Sequence, residues 1–173
     1  MEEIRKNDVD ELIKRKTPRL RSFDYGNCGA YFLTVCTEKR EHILSTVEKE
    51  DSDPTLTKYG KIVDRFIQEI PQRYPYISVD CYVIMPNHIH LLLFLASNDA
   101  NESLRETVDR VVGWLKYQAT KEINLARGTG GKRVFQRSFF DHIVRNQKDY
   151  EETHNYIRYN PFRWYHKYLS KEI

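Results

Sequence analysis

The chain has little of what would tie it to a secreted scaffold, a membrane or a zinc ribbon. Among its 173 residues there are three cysteines, Cys28, Cys36 and Cys81. None sits in CxxC spacing and an odd three cannot all pair, so buried thiols in a reducing compartment are expected, not a disulfide framework. The longest apolar run, 91–96, is far too short to cross a bilayer. The charged beginning of the chain lacks the apolar core of a signal peptide. No repeat or low-complexity tract marks an interdomain linker. These absences predict a cytoplasmic protein with no membrane partner and one domain over 31–173, preceded by an N-terminal arm over 1–30. They exclude intrinsic disorder too, since 40% of residues are apolar and 31% charged.

Net charge is also scarce, at +3, so overall charge barely argues for a polyanionic partner. Its distribution says more. From Lys132 to Ile173 nine basic residues face five acidic ones, interleaved with Phe, Tyr and Trp. Such a stretch suits a nucleic-acid backbone or an ordinary solvated helix surface equally well. What the chain has in excess is aromatic side chains, 13% of residues with 12 Tyr. These fill a core or offer stacking platforms for unpaired bases.

Residues 31–37 are aromatic and β-branched enough for a first strand. Residues 48–54 form a polar loop. A helix is predicted over 56–74, with Leu56, Tyr59, Val63, Phe66, Ile67 and Ile70 at helical spacing and Pro71 near its end. A strand over 77–85, a Pro86-Asn87 turn and a strand over 88–95 follow. After a loop at 98–101, Ser103 to Glu106 reads as a capping box opening a second helix carried by Val108, Val111, Val112 and Leu115. A glycine-rich break spans 127–132, a short fourth strand is expected at 134–136, and Asn146 caps a final helix that stops at Asn160-Pro161. The order implies an α+β fold, a ferredoxin-like split βαβ with an antiparallel sheet and an additional C-terminal helix.

The most informative stretch is 83–95, centred on His88-Ile89-His90. Residues two apart on a strand face the same side, roughly 6.6 Å apart at ~3.3 Å per residue. Two rings leaning inward then bring their nitrogens within about 4 Å, as two metal bonds of ~2.1 Å require. Leu91 and the apolar residues after it anchor the strand, so a cation would sit at its exposed start. The same pair also occurs as two hydrogen-bonded packing residues. Almost seventy residues later, Tyr156 and Asn160 stand four apart on a predicted helix and share a face. A phenol beside an amide is a nucleophile beside a ligand, or a packing tyrosine beside a helix stop.

Together these blocks resemble the REP-associated tyrosine transposases, within the HUH transposases that act on single-stranded DNA. The resemblance runs over roughly 31–164. It rests on Tyr31-Phe-Leu-Thr-Val-Cys-Thr37, Val83-Ile-Met-Pro-Asn-His-Ile-His-Leu-Leu92, Phe135-Gln-Arg-Ser-Phe-Phe-Asp-His-Ile-Val-Arg-Asn146, Asp149-Tyr150 and Tyr156-Ile-Arg-Tyr-Asn-Pro161. It implies His88 and His90 as metal ligands, Asn160 as the third, and Tyr156 as the nucleophile in preference to Tyr159. The family commonly carries glutamine where this chain has Asn160. It further implies Mg²⁺ or Mn²⁺ as cofactor, a 5′-phosphotyrosine intermediate, and single-stranded or hairpin DNA as substrate. Arg137, Arg145, Arg158 and Arg163 are candidates for phosphate contacts, and Phe139, Phe140 and Trp164 for base stacking. His142 is expected to be a satisfied core histidine. The tyrosine helix of such enzymes acts within its own subunit or in a partner's, leaving monomer or homodimer open. Two rival readings remain: a non-catalytic single-strand-binding ferredoxin-like module, and a phosphodiesterase that uses activated water. A protein of this kind would be nucleoid-associated when bound to DNA.

Overall fold

The computed structural model describes residues 29–50, 52–96 and 104–169. The expected arm, most of it before residue 29, the loop at 98–101 and the Ser103 cap lie outside the described residues. Among the described residues six strands and four α-helices follow one another, with a 3-10 turn at Glu38–Arg40. They are β1 (Gly29–Cys36), β2 (Ser45–Thr46), β3 (Thr55–Leu56), α1 (Lys58–Arg73), β4 (Ile77–Ile84), β5 (His88–Leu95), α2 (Leu104–Arg127), β6 (Phe140–Val144), α3 (Gln147–Arg158) and α4 (Asn160–Tyr168). No helix among the described residues is long and apolar enough to cross a membrane.

Four strands make one antiparallel sheet in the order β4-β5-β1-β6. β5 therefore inserts between β1 and β4, the two strands that α1 connects. This is the split βαβ arrangement, and the α+β reading of the sequence holds.

Both faces of the sheet are covered, which is why β5 reads as an almost unbroken apolar run. Alternation sends Tyr31, Leu33 and Val35 of β1, with Ile89, Leu91, Leu93 and Leu95 of β5, to one side. There they meet Val63, Phe66, Ile67 and Ile70 of α1 and Val108, Val111, Val112, Leu115 and Ala119 of α2 in the larger core. The opposite side carries Ala30 and Leu92, covered by Tyr150 and Ile157 of α3. A third small cluster, Val47, Met85 and Trp164, seats α4.

The connections fix the strand ends where the site forms. The Thr57 hydroxyl caps α1 by accepting from the Tyr59 and Gly60 amides, both at 3.2 Å, and donates to the Ile43 carbonyl at 2.6 Å. A Cβ on Gly60 would collide with the Leu44 carbonyl, so α1 is clamped to this segment. Ile43 and Leu44 donate in turn to the Pro86 carbonyl at 2.9 and 3.0 Å. The Thr37 hydroxyl donates to the Asn87 carbonyl at 3.0 Å. The turn that delivers His88 is thus tied to both the end of β1 and the start of α1.

Three expectations need correction. Residues 134–136 are not a strand: Phe135 makes only an isolated bridge to Thr37, and the fourth sheet strand is β6. Val134 and Phe135 are apolar because they plug the larger core, not because they belong to a ladder. Secondly, the helix that Asn146 caps does end just before Asn160-Pro161, at Arg158, but it is not the final one. Asn146 caps α3, its side chain accepting from the Asp149 amide, but Pro161 then stands in the first turn of α4. A proline there gives up an N–H that has no helical partner anyway. Tyr159, at φ −91° and ψ 6°, is the corner between the two. Thirdly, the polar loop at 48–54 is flanked by a two-stranded ribbon, β2 with β3, which its two-residue strands made invisible in the sequence.

Candidate active site

β5 pairs with β1 in a register that sets Thr34 opposite His90 and Cys36 opposite His88. All four lie on the face opposite the larger core, at the end of the sheet where α3 gives way to α4. His88 and His90 are 8% and 4% exposed, so the start of β5 is not the exposed edge expected from the sequence. They line instead a cavity of about 720 Å³ whose walls include Arg40, Phe140, Tyr156, Asn160, Arg163 and Trp164.

The two imidazoles converge. His88 Nε2 and His90 Nε2 lie 3.1 Å apart. Their other nitrogens are held from behind, His88 Nδ1 by Asn87 Oδ1 at 2.7 Å and His90 Nδ1 by the Thr34 hydroxyl at 2.9 Å. The amide oxygen accepts from His88 Nδ1–H, which leaves a lone pair on Nε2. The threonine hydroxyl serves His90 in either tautomer. Such backing fixes ring orientation in metal-binding histidines.

Burial, with the Arg40 guanidinium second, holds His88 down to about 4, against a hydrogen bond to the Asn160 side chain that favours its charged form. Burial holds His90 to about 3, aided by His88 and Arg40. Both rings are therefore neutral at pH 7, the form that ligates a metal.

The site fits a divalent cation. Two nitrogens 3.1 Å apart match adjacent ligand atoms on an ion with bonds of ~2.1 Å at a near-right angle. The Asn160 side chain already reaches His88, so its amide oxygen is at hand as a third donor.

Tyr156 stands at the rim, 38% exposed. Its ring meets the His90 ring edge-on at 5.1 Å and Phe32 of β1 at 5.7 Å. The Arg163 guanidinium lies over the same ring at 5.2 Å. The corner at Tyr159 lets α3 bring the phenol and α4 bring Asn160, Arg163 and Trp164 to one cavity. Trp164 is buried, its ring 5.9 Å from His88 and 5.2 Å from that of His42. It forms the floor of the cavity more than a free stacking surface. Phe140 is 62% exposed on the cavity wall and Phe139 lines it while packing on the larger core.

Arg137, Arg145 and Arg158 are exposed and are not among the lining residues. Arg137 neighbours Gln136 and Ser138, which are. Arg158 sits near His154 and, two residues on from Tyr156, stands roughly 200° round α3 from it. His142 is no core histidine: it pairs with Asp149 at 2.8 Å while half exposed.

Sequence reasoning missed Arg40, Lys167, Tyr168, Thr34 and Gln136, all in the cavity wall. Lys39 and Arg40 adopt left-handed backbone, φ 51° and 57°. That costs non-glycine residues energy and is a local mark that only coordinates display. Lys167 and Tyr168 were hidden because α4 itself was unexpected. Among the described residues no carboxylate lines the cavity, whereas Arg40, Arg163 and Lys167 all do. One His/Cys/Asp/Glu triad able to hold a metal occurs elsewhere among the described residues, at Asp80, Cys81 and His154.

No protein-family model matches the chain. In sequence it is 27% identical over 137 residues to a REP-associated tyrosine transposase of Escherichia coli, spanning 78% of this chain and 67% of that one. A Haemophilus influenzae protein provisionally given the same name is 28% identical over 155 residues, or 85% and 77% of the two lengths. Among solved structures, a REP-associated tyrosine transposase bound to a REP hairpin superposes with a TM-score of 0.54 at 22% identity, covering 91% of this chain and 76% of the other. This chain is thus related in sequence to the REP-associated tyrosine transposases and shares their fold.

Proposed function

We propose that the chain nicks and rejoins single-stranded or hairpin DNA, with Tyr156 as nucleophile and His88, His90 and Asn160 as the ligands of Mg²⁺ or Mn²⁺. One observation carries this reading: a cavity that gathers two neutral, back-braced imidazoles and a phenol is lined, among the described residues, by three cationic side chains and no carboxylate. Sites for hard cations ordinarily use acidic ligands. Here the three protein ligands are neutral, so an ion's charge would be left for an anionic ligand to balance. A DNA phosphate fits that requirement.

Such an ion, when bound, supplies Lewis-acid polarisation of the scissile phosphate. The chain's own residues do the rest. Arg40, Arg163 and Lys167 orient the phosphate by charge. Arg163, over the Tyr156 ring, places that charge beside the nucleophile. The Tyr156 oxygen attacks phosphorus in line, forming a Tyr–O–P bond as the P–O3′ bond breaks. The phenolic proton passes to solvent and the leaving 3′ oxygen takes one up. Attack by another 3′-hydroxyl on the 5′-phosphotyrosine rejoins strands without an external energy source. The exposed Phe140 ring supplies a stacking surface for an unpaired base. Because the histidines and tyrosine meet within a single chain, the geometry favours cleavage by one subunit acting alone.

The test is incubation of the full chain with labelled single-stranded hairpins and Mn²⁺, followed by denaturing gels and mass spectrometry of the linked peptide. Wild type should give an adduct at Tyr156, and Tyr156→Phe should bind the same DNA and give none, a loss on the order of 10³-fold or more. Cleavage that survives in Tyr156→Phe without an adduct would instead establish a water-using phosphodiesterase. DNA binding without cleavage under any divalent ion would leave a binding module.

A further inference from the structure

On the same side of the sheet, nearer the other end of α3, β4 carries an irregularity that the cleavage reading does not use. Its register against β5 runs Val79 to Leu93 and then Cys81 to Leu92, so Asp80 is an extra residue, a β-bulge. In a regular strand Asp80 and Cys81 would point to opposite faces. The bulge resets the alternation, and both side chains come to the face covered by α3. There His154, from the middle of α3, meets them. One ligand atom from each of the three lies within 4.8 Å of the other two.

The polar bookkeeping around this triad is incomplete. The Tyr150 hydroxyl donates to Asp80 Oδ2 at 3.0 Å, and the Cys81 thiol hydrogen-bonds the same carboxylate. His154 Nδ1, however, is shielded from solvent and has no hydrogen-bond partner among the described residues. A buried ring nitrogen left unpaired calls for an explanation, and an absent ion is one that chemistry supports. Nitrogen, sulfur and carboxylate oxygen together form the donor set of a borderline-soft cation, not of the hard ions suited to the cavity.

We propose that Asp80, Cys81 and His154 form a second, zinc-type cation site that pins α3 to β4. Ligand atoms on a tetrahedral zinc ion lie roughly 3.5 Å apart, so the triad need contract by at most about 1.3 Å, within the reach of rotamer adjustment. One carboxylate, one thiolate and one neutral imidazole neutralise a divalent ion completely, which suits this half-buried place. Binding releases the Cys81 thiol proton to solvent, one per ion, and a water completes the coordination. Tyr150, bonded to Asp80, backs the first ring of ligands. His154 stands two residues before Tyr156 on the same helix. An ion here therefore sets the seat of the helix that carries the phenol, without touching DNA.

Cobalt is the probe, because a thiolate bound to Co²⁺ gives a near-ultraviolet charge-transfer band that histidine and asparagine ligands do not. Cys36 lines the active-site cavity and the paired imidazoles there would take up the same ions, so the full chain is tested in a Cys28→Ser/Cys36→Ser/His88→Gln/His90→Gln background after chelator treatment. The band should grow to one equivalent of Co²⁺ and vanish when Zn²⁺ is added. It should be lost in Cys81→Ser, and the affinity for Co²⁺ should fall at least tenfold in His154→Gln. One equivalent of Zn²⁺ should raise the unfolding temperature in the background chain and leave Cys81→Ser unmoved. A background chain without the band, a band that persists in Cys81→Ser, or an unchanged affinity in His154→Gln would each overturn the site. None of these readouts depends on DNA cleavage, so the second site and the cleavage reading can fail separately.

Discussion

The two faces of the sheet are built from the same strands and differ in almost every other respect. Toward α1 and α2 the strands β1, β4 and β5 present Leu, Ile, Val or Tyr, and this side contributes most of the buried apolar residues. Toward α3 and α4 the same strands present Thr34, Cys36, Cys81, His88 and His90 among a smaller apolar set. A strand's period of two lets one segment serve both ends. In His88-Ile89-His90-Leu91 the odd residues hold the fold and the even ones hold the candidate chemistry. The division explains how a chain tolerates two buried imidazoles with depressed basicity: the cost is borne on one face while the other supplies the apolar burial that offsets it.

The sharpest way to break this division is to compare neighbours on β5. Leu91 is 1% exposed in the larger core. Leu91→Ala should cost about 2–5 kcal/mol of stability, through lost burial and the cavity left behind. Below its unfolding temperature the variant should still form the DNA adduct. His90→Gln keeps a partner for Thr34 and should change stability by less than about 1 kcal/mol, while abolishing the adduct. Urea unfolding and the adduct gel measure both. If Leu91→Ala loses the adduct while still folded, or His90→Gln unfolds the protein, the two faces are not separate.

A smaller effect sharpens the same comparison through pH. Burial depresses His88 to about 4 and His90 to about 3, against an ordinary value of 6.5. Between 6.5 and about 4 the unfolded chain binds protons on these rings that the folded chain refuses. Their contribution to stability is therefore complete above pH 6.5 and is lost as pH falls toward 4 and then 3. Because the rings line a cavity open to water, they relax on charging, so the loss should be less than that of Leu91→Ala. In chelator-treated protein the unfolding temperature should fall over this window, and a His88→Gln/His90→Gln variant should show a shallower fall. Equal slopes would mean that the rings charge freely in the folded state.

The same two faces explain how much could be read from the sequence. The larger core was legible because α1 and β5 bury residues at their own periods. The histidine pair was legible because two residues apart on a strand is a local relation, and Tyr156 with Asn160 because four apart on a helix nearly is. The corner at Tyr159 alters the backbone between them, yet both still reach the cavity. β6 was misplaced for a physical reason: as an edge strand it leaves Phe140 and Ile143 exposed, so its alternation carries no burial signal, whereas Val134 and Phe135 mimic one. Thr34 and Arg40 were beyond reach. Thr34 meets His90 only through strand register, and Arg40 arrives through a left-handed turn held by the Glu38 amide on the Val134 carbonyl and the Thr37 hydroxyl on the Glu41 carbonyl. The bulge at Asp80 is equally silent, since it shows only as a strand whose apolar residues step from Val79 to Tyr82.

The smallest effect distinguishes arginines that the sequence treats alike. Arg163 and Arg158 lie five residues apart, both exposed, on either side of the Tyr159 corner. Arg163 stands over the Tyr156 ring and lines the cavity, whereas Arg158 lies on the other side of α3, beside His154. On the cleavage reading Arg163→Gln removes a phosphate contact. It should weaken hairpin binding by about tenfold at moderate salt and lower the slope of log affinity against log salt by about one. Arg158→Gln should change affinity by less than about twofold, with the slope intact. Fluorescence anisotropy across a salt series, run with Tyr156→Phe to prevent covalent trapping, separates the two. Equal losses in both variants would mean that DNA wraps α3 and reaches its far side, and the cavity would then be only part of the binding surface.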